Sequence, residues 1–326
     1  MTAAYITAPG PAEAIRVGEL PVPKPGPTDV LVRTQALAAN HVDTFVRSGA
    51  YATPLPMPFV IGRDLVGVVA AAGARVAGFG GGDAVWCNSL GHGGRQGSFA
   101  EYAVVPADRL YRLPPGVDPQ VAVSAAHTAA TAYLALFREG ALRADDTVLV
   151  GGAGGGVGSA AVQLAHAAGA RVIATAAPGD ADWCRSCGAD VVIDYRDPHA
   201  NERIRAAAPQ GLDVHLDTSG HHDFDVSIAL LAHGGRLILM AALDARPPLP
   251  VGAVYTRDAS LRGFAISNAS VVDLADAAAT INRMLASRRL RVRIGVRLPL
   301  HHAARAHQLL EHPDPYLPPG RIVVLP

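Results

Sequence analysis

Lysine and cysteine are nearly absent from this sequence. Lys24 is the only lysine, although Lys and Arg together number 28. A Schiff-base mechanism that needs a lysine in the C-terminal half is therefore excluded. The three cysteines, Cys87, Cys184 and Cys187, are too few for a scaffold held by disulfide bonds.

An excess of one charge and a long apolar run are absent as well. Acidic residues number 28, which equals the number of basic residues, so no net field attracts nucleic acid or an anionic membrane. Gly, Pro, Asp or Arg interrupts every apolar run before it reaches the length of a membrane span. The first residues, Met-Thr-Ala-Ala-Tyr-Ile, lack the regions of a secretory signal. We therefore expect a cytoplasmic protein that binds neither nucleic acid nor membrane.

Two kinds of pattern divide the chain. Residues 1–121 show short strands separated by Pro and Gly, which predicts a compact β-rich domain. Residues 122–261 alternate continuous apolar strands with helices, which is typical of a parallel sheet covered on both faces. Residues 262–326 return to the mixed pattern, and we assign them to the first domain, which is then discontinuous. The expected fold class is α/β with two domains.

The segment from Val148 to Gly158 is the most informative part of the sequence. It reads Val-Leu-Val-Gly-Gly-Ala-Gly-Gly-Gly-Val-Gly and joins an apolar strand to an Ala-rich helix. Within it, Ala153-x-Gly155-x-x-Gly158 is a variant of the dinucleotide-binding fingerprint. Small residues let the backbone approach a pyrophosphate, and the helix N-terminus offers free N–H groups and a positive dipole end. We predict a dinucleotide site here, because a flexible linker would not be placed between a strand and a helix.

The end of the next strand bears on the choice of dinucleotide. NAD enzymes usually place an acidic residue there to bind the ribose 2′-hydroxyl, whereas this chain has Ala176 and Ala177. No carboxylate at that point would repel a 2′-phosphate, so we expect NADPH. Asp180 and Asp182 follow closely, however, and leave NADH open. The phosphate would need contacts from Arg185, Tyr195 or Arg196.

Several segments occur together in one order along nearly the whole chain. They are Asn40-His-Val-Asp-Thr-Phe-Val-Arg-Ser-Gly49, Ile61-Gly-Arg-Asp-Leu-Val-Gly67, Gly97-Ser-Phe-Ala-Glu-Tyr102, Thr131-Ala-Tyr133, Gly188-Ala-Asp190, His233-Gly-Gly-Arg236 and Gly320-Arg-Ile-Val-Val-Leu325. Together with the glycine-rich segment they resemble the zinc-independent quinone oxidoreductase branch of the medium-chain dehydrogenase/reductase family. The resemblance implies a GroES-like first domain and a Rossmann second domain with a doubly wound parallel sheet. It also implies NADPH-dependent hydride transfer to a quinone or an α,β-unsaturated carbonyl compound, and a homodimer.

The resemblance implies cofactor contacts residue by residue. It places Asn40 and Thr131 beside the nicotinamide, and it places Ala153, Gly155, Gly156, Val157 and Gly158 on the pyrophosphate. The rest of the groove would be lined by Ala177, Tyr195, His221, Met240, Ala241, Ile266, Ser267, Asn268 and Arg321. Three positions depart from the common pattern. They are Phe45 in place of a frequent tyrosine, His41 in place of a frequent proline, and Asp180 in place of a lysine common in NADPH-using members.

No metal site is expected. Zinc members of the superfamily carry a cysteine at the position of Asn40 and Gly-His-Glu at that of Gly62-Arg63-Asp64. Here Gly62 and Asp64 are expected to shape a turn and to satisfy backbone donors. Cys87 is the only thiol in the lobe that would hold a structural zinc, and such a zinc normally takes four ligands.

The catalytic candidates are Asn40, Tyr51 and His127. His127 lies four residues before Thr131, where zinc relatives supply a zinc cysteine. A histidine there could donate a proton or hold a substrate oxygen. The alternative is a histidine hydrogen-bonded near the start of an Ala-rich helix. Since the acceptor can also take its final proton from solvent, Tyr51 and His127 are needed as acids only if the protein supplies that proton.

Three other functions stay open. A reductase of enoyl thioesters in a biosynthetic pathway would use the same motifs. A non-catalytic dinucleotide- or RNA-binding sensor would keep the fold without turnover. Thiol–disulfide exchange through Cys184 and Cys187 ranks last, because their i, i+3 spacing suits packing on one helix face. The histidine pairs at 221–222 and 301–302 are expected at the surface or at caps.

Overall fold

The computed structural model describes residues 1–326, which form two compact units. Unit 1 consists of Met1–His127 and Leu274–Pro326, and unit 2 of Thr128–Asp273. Unit 1 is therefore discontinuous in sequence. The domain bounds drawn from the sequence, at 121/122 and 261/262, stay a prediction. No helix combines the length and the apolar character that crossing a bilayer requires.

Unit 1 begins with eight strands and one helix. They are β1 (Thr2–Ile6), β2 (Arg16–Glu19), β3 (Asp29–Ala39), α1 (His41–Ser48), β4 (Phe59–Val60), β5 (Asp64–Ala72), β6 (Ala84–Cys87), β7 (Tyr102–Pro106) and β8 (Tyr111–Arg112). Helix α2 (Pro119–Tyr133) contains the boundary with unit 2 and continues as a π-helical turn over Leu134–Glu139.

Unit 2 alternates strands with helices, as the sequence predicts. Its elements are β9 (Thr147–Gly151), α3 (Gly156–Ala167), β10 (Arg171–Ala176), α4 (Ala181–Ser186), β11 (Val191–Asp194), α5 (Ala200–Ala207), β12 (Leu212–Asp217), α6 (Phe224–Ala229), β13 (Leu231–Leu239), α7 (Val251–Tyr255) and β14 (Ser260–Gly263). The chain continues with α8 (Val271–Ala286), β15 (Ile294–Pro299), α9 (Ala303–Glu311) and β16 (Arg321–Leu325).

The sheet of unit 2 is parallel throughout. Its six strands lie in the order β11-β10-β9-β12-β13-β14. Val148, Leu149 and Val150 are successive residues of β9, so they point to alternate faces, and all three are at most 2% exposed. Both faces of the sheet are therefore covered at β9, which explains why this central strand is a continuous apolar run. The strand order reverses between β9 and β12, and such a switch point is where open parallel sheets bind ligands.

Unit 1 is built around the long strand β3. A seven-stranded sheet has the order β15-β16-β3-β5-β6-β8, with β7 also paired to β3, and β2-β1-β4 form a second sheet. The last strand, β16, lies between β15 and β3. Helix α8 is tied to β6 by the indole of the buried Trp86, which donates to Asn282 Oδ1 over 3.0 Å. The predicted fold class, a β-rich domain combined with a parallel-sheet domain, is confirmed.

Candidate functional site

Residues 151–158, from the last residue of β9 to the first turn of α3, are called the glycine loop. Gly152 has a φ of 72°, in the left-handed region that favours glycine. A Cβ on Gly158 would lie 2.3 Å from the carbonyl oxygen of Gly152, so the helix approaches the loop too closely for any side chain. Gly155 caps the 12-residue helix α3, and a Cβ there would meet only the Gly152 oxygen, at 3.4 Å. This arrangement leaves space beside the helix N-terminus that fits a pyrophosphate.

The other cofactor-binding positions predicted in unit 2 follow the ends of the remaining strands. Ala177 follows β10, Tyr195 follows β11, His221 comes after β12, Met240 and Ala241 follow β13, and Ile266, Ser267 and Asn268 form a 3₁₀ turn after β14. Because all six strands are parallel, these positions lie at one edge of the sheet, which we call the dinucleotide edge. Thr131 lies instead on α2, where it is buried.

A hydrogen-bonded group at the end of β12 was not predicted from the sequence. Asp217 Oδ2 pairs with His222 Nδ1 over 2.8 Å, and Asp217 Oδ1 accepts from the amide and hydroxyl of Ser219. The His222 side chain is only 8% exposed, so the surface or cap role expected for it is wrong, whereas His221 is exposed. Thr218 donates to the Gly151 carbonyl over 2.7 Å, which fastens this segment to the glycine loop.

The sequence predicts three candidate contacts for a 2′-phosphate, Arg185, Tyr195 and Arg196, with Asp180 as an opposing charge. Tyr195 is 55% exposed, and the Arg196 guanidinium lies 5.2 Å from the centre of its ring. Arg185 is engaged by Asp182, with 2.8 Å between Nη1 and Oδ1. Asp180 lies against the glycine loop, since a Cβ on Gly154 would be 2.3 Å from its Oδ2. The Arg196 guanidinium therefore contacts the Tyr195 side chain, whereas that of Arg185 is paired with a carboxylate.

Unit 1 contains a group of buried and partly buried charged residues around Asn40. The Asn40 amide N–H donates to Asp43 Oδ2 over 2.8 Å in a capping box that starts α1. Its Nδ2 donates to Asp64 Oδ2 over 2.9 Å, and its Oδ1 accepts from Arg321 Nη2. Arg63 Nε lies 4.0 Å from Asp43 Oδ1. We call these five residues the polar cluster. The expectation that Asp64 satisfies backbone donors is wrong, because its partner is the Asn40 side chain brought alongside by the pairing of β3 with β5.

Burial sets the protonation of the polar cluster. Burial and, after it, the charge of Asp43 raise the pKa of Asp64 to about 7, against the hydrogen bond from Asn40. Burial also raises the pKa of Asp43 to about 6, although the Arg63 charge opposes the shift. Burial of the Arg321 guanidinium lowers its pKa, and the two carboxylates partly offset that change. Both carboxyl groups therefore titrate close to neutrality.

His127 and Tyr51 are both in unit 1. His127 lies in the interior of α2 rather than near its start, and it is buried. Burial, followed by the charge of Arg63, holds the pKa of His127 well below its usual value. The imidazole is therefore neutral at pH 7, so it can hold an oxygen by a hydrogen bond but is not an imidazolium acid. The Tyr51 ring stacks on His92, with 5.6 Å between ring centres.

The structure contains no group of three or more His, Cys, Asp or Glu side chains placed to hold a metal ion. Cys184 and Cys187 are both buried in or at the end of α4, as expected for cysteines that pack. His301 and His302 are exposed, as expected.

Known protein families match both units. Residues 26–115 match the alcohol dehydrogenase GroES-like domain, and residues 156–283 match a domain described as zinc-binding dehydrogenase. These matches assign the GroES-like and Rossmann parts of the fold, and they define a medium-chain dehydrogenase/reductase.

Individual relatives narrow the assignment. The quinone oxidoreductase of Lama guanicoe is 31% identical over 320 residues, which cover 97% of this chain and 94% of the relative. A solved mycobacterial protein complexed with NADPH is 32% identical, with a TM-score of 0.86 and full coverage of both chains. A solved NAD-dependent alcohol dehydrogenase is 34% identical, with a TM-score of 0.89 and full coverage of both chains. The chain belongs to the quinone oxidoreductase branch of the medium-chain dehydrogenase/reductase family, which confirms the resemblance stated from the sequence.

Proposed function

We propose that the chain is an NADPH-dependent, zinc-independent reductase of quinones and related α,β-unsaturated carbonyl compounds. The glycine loop at the switch point of a parallel sheet carries this proposal, in a chain that resembles a quinone oxidoreductase over 97% of its length. When bound, the reduced dinucleotide supplies a hydride to the acceptor. The protein's residues bind and orient the dinucleotide and the acceptor, and they exclude water from both.

In this proposal the glycine loop binds the pyrophosphate through the N–H groups at the start of α3. Tyr195 and Arg196 bind the 2′-phosphate, and the turns after β12, β13 and β14 bind the rest of the dinucleotide. Asn40, Thr131 and Arg321 are assigned to the nicotinamide end from the family resemblance. Asn40 has partners on both ends of its amide, Asp64 and Arg321, so we assign it a positioning role.

The preference for NADPH is supported by two observations. β10 ends in Ala176, with no acidic group at the position that binds a ribose 2′-hydroxyl, and the exposed Arg196 offers a cation near the end of β11. Asp180 beside the glycine loop opposes the preference, and one similar solved structure is described as NAD-dependent. Comparing the Kd values of NADPH and NADH by cofactor fluorescence tests the preference, and an equal or tighter affinity for NADH would contradict it.

The acceptor chemistry needs no strong protein acid. Hydride addition to a quinone or to the β-carbon of an enone moves negative charge onto the carbonyl oxygen. A hydrogen bond from Tyr51 or from the neutral imidazole of His127 would stabilise that oxygen. The final proton can come from solvent, which agrees with a His127 whose pKa is well below 7.

Turnover assays with a panel of acceptors test the function. NADPH oxidation should be fastest with quinones or enones and should survive exhaustive chelation, with no stoichiometric zinc by elemental analysis. Faster turnover of enoyl thioesters would favour the biosynthetic reductase instead. Binding of NADPH without turnover of any acceptor would favour a non-catalytic sensor, and activity restored by zinc would refute zinc independence. The cytoplasmic location and the homodimer stay predictions from the sequence and the resemblance.

A further inference from the structure

Arg63 is a buried cation with an unused edge. Its side chain is 2% exposed, and neither Nε nor Nη2 has a hydrogen-bond partner in the protein. These two nitrogens lie on the same edge of the planar guanidinium, and their N–H groups point in parallel. Such an edge matches the two oxygens of a carboxylate. Buried donors that are left without partners destabilise the protein, so a ligand that accepts from both would be bound favourably.

The nearest carboxylate in an ion pair with Arg63 does not fill this edge. Asp43 Oδ1 is 4.0 Å from Arg63 Nε, beyond hydrogen-bond distance. The second oxygen, Asp43 Oδ2, accepts the Asn40 amide N–H over 2.8 Å and so closes the capping box of α1. Asp43 is thus anchored to the start of α1 through Oδ2, while its Oδ1 stays beyond hydrogen-bond distance of Arg63.

The charges of the polar cluster also favour the binding of an anion at Arg63. Arg63 and Arg321 are cations, whereas burial raises the pKa of Asp43 to about 6 and that of Asp64 to about 7. At pH 7 the two carboxyl groups therefore carry less than two negative charges against two positive ones. An anion at the free edge of Arg63 would offset this remaining positive charge.

We propose that Arg63 binds a carboxylate of the acceptor through Nε and Nη2, so that the natural substrates are quinones or enones that bear a carboxylate. This inference rests on the proposed function for the identity of the acceptor. The carboxylate takes no part in hydride transfer. It orients the conjugated carbonyl and selects anionic acceptors over neutral ones.

Binding of benzoate and benzamide tests the proposal without turnover. The two compounds have the same ring and differ in charge. Calorimetric titration of the protein saturated with NADP⁺ should show benzoate binding at least about tenfold more tightly than benzamide, as expected for a charge-assisted pair of hydrogen bonds. Arg63→Gln should abolish this preference. The control is Arg95→Gln, which removes an arginine that donates to the Ser89 carbonyl, and it should keep the preference.

The outcomes separate this proposal from the proposed function. NADP⁺ is titrated first, and absence of NADP⁺ binding would contradict the proposed function. Normal NADP⁺ binding with equal affinities for benzoate and benzamide, or with a preference that survives Arg63→Gln, would overturn the role of Arg63 alone.

If Arg63→Gln does not fold, a second variant and a kinetic measurement still test the proposal. Arg63→Lys keeps the positive charge but not the parallel pair of donors, and it should reduce the preference for benzoate at least about threefold. In turnover assays, Arg63→Lys should raise the KM for 3-benzoylacrylate by a similar factor. It should leave the KM for the methyl ester of 3-benzoylacrylate unchanged. Equal effects on the acid and the ester would refute carboxylate binding.

Discussion

Arg196 and Arg185 are two cations near the dinucleotide edge with different surroundings. Arg196 stacks on the exposed Tyr195, whereas Arg185 pairs with Asp182. We expect Arg196→Gln to weaken NADPH binding about tenfold and to change NADH binding less than about twofold, since only NADPH carries the 2′-phosphate. Fluorescence titration of both dinucleotides measures the two effects. Arg185→Gln is the matched control and should change neither affinity. If Arg196→Gln weakened the binding of NADPH and NADH equally, Arg196 would not contact the 2′-phosphate.

Variants of His127 can distinguish a hydrogen-bonding role of this residue from a role as proton donor. Burial and Arg63 hold the pKa of His127 well below its usual value, so its imidazole is neutral over the normal working range. We expect His127→Gln, which keeps a hydrogen-bond donor, to retain kcat within about threefold, whereas a lost general acid would cost roughly 10²–10⁴. Rates normalised to the folded fraction and a pH–rate profile give the answer. A hundredfold loss with unchanged cofactor affinity would show that His127 is the acid.

At the scale of single elements, the glycine loop contains two glycines with different functions. A Cβ on Gly158 would collide with the Gly152 carbonyl at 2.3 Å, whereas a Cβ on Gly155 meets the same oxygen at 3.4 Å. We therefore expect Gly158→Ala to lower the stability of the protein by about 1–3 kcal/mol and to weaken dinucleotide binding. Gly155→Val should keep the melting temperature near that of the wild type and abolish dinucleotide binding, because its side chain occupies the space for the pyrophosphate. Thermal melting and cofactor titration measure both. Unchanged affinity in Gly155→Val would refute the pyrophosphate site.

Elements whose own residues form a recognisable pattern were predictable from the sequence. The strands β9, β10 and β11 contain apolar runs, and the glycine loop needs small residues at fixed positions. In contrast, β14 reads Ser-Leu-Arg-Gly, with a single large apolar residue, and it forms only because it adds to the edge of β13. Residues 260–263 were accordingly not predicted as a strand.

Contacts that depend on distant partners were not predictable. The Asp64 side chain meets Asn40 only because β5 pairs with β3. The distance of 4.0 Å between Arg63 and Asp43 likewise depends on how β5 and α1 are placed in the fold. The bond between His222 and Asp217 depends on how the chain turns after β12. Sequence patterns report the residue types at these positions but not which neighbour each one faces.

At the scale of the whole molecule, buried histidines make stability depend on pH. His307 is fully buried, neither ring nitrogen has a hydrogen-bond partner, and burial lowers its pKa to about 3. The unfolded chain takes up this proton near pH 6.5 and the folded chain does not, so stability falls as the pH drops from 6.5 towards 3. Between pH 8 and pH 5 this loss amounts to about 2 kcal/mol.

We therefore expect His307→Leu to stabilise the protein, and to do so by about 2 kcal/mol more at pH 5 than at pH 8. Urea denaturation at the two pH values measures the difference. The exposed His301 provides the control, since His301→Gln should change stability little at either pH. A gain in His307→Leu that is the same at both pH values would show that His307 is not the group that loses stability in acid.

The strand β16 joins parts of unit 1 that lie far apart in the sequence. Arg321–Leu325 lie between β15 and β3 in the sheet, and Arg321 also donates to Asn40. The whole of unit 2 lies between β3 and β16 along the chain. A cut in the backbone just before Arg321 would therefore leave β15 and β3 without the strand between them and Asn40 without its guanidinium partner, whereas it would remove no strand from the parallel sheet of unit 2.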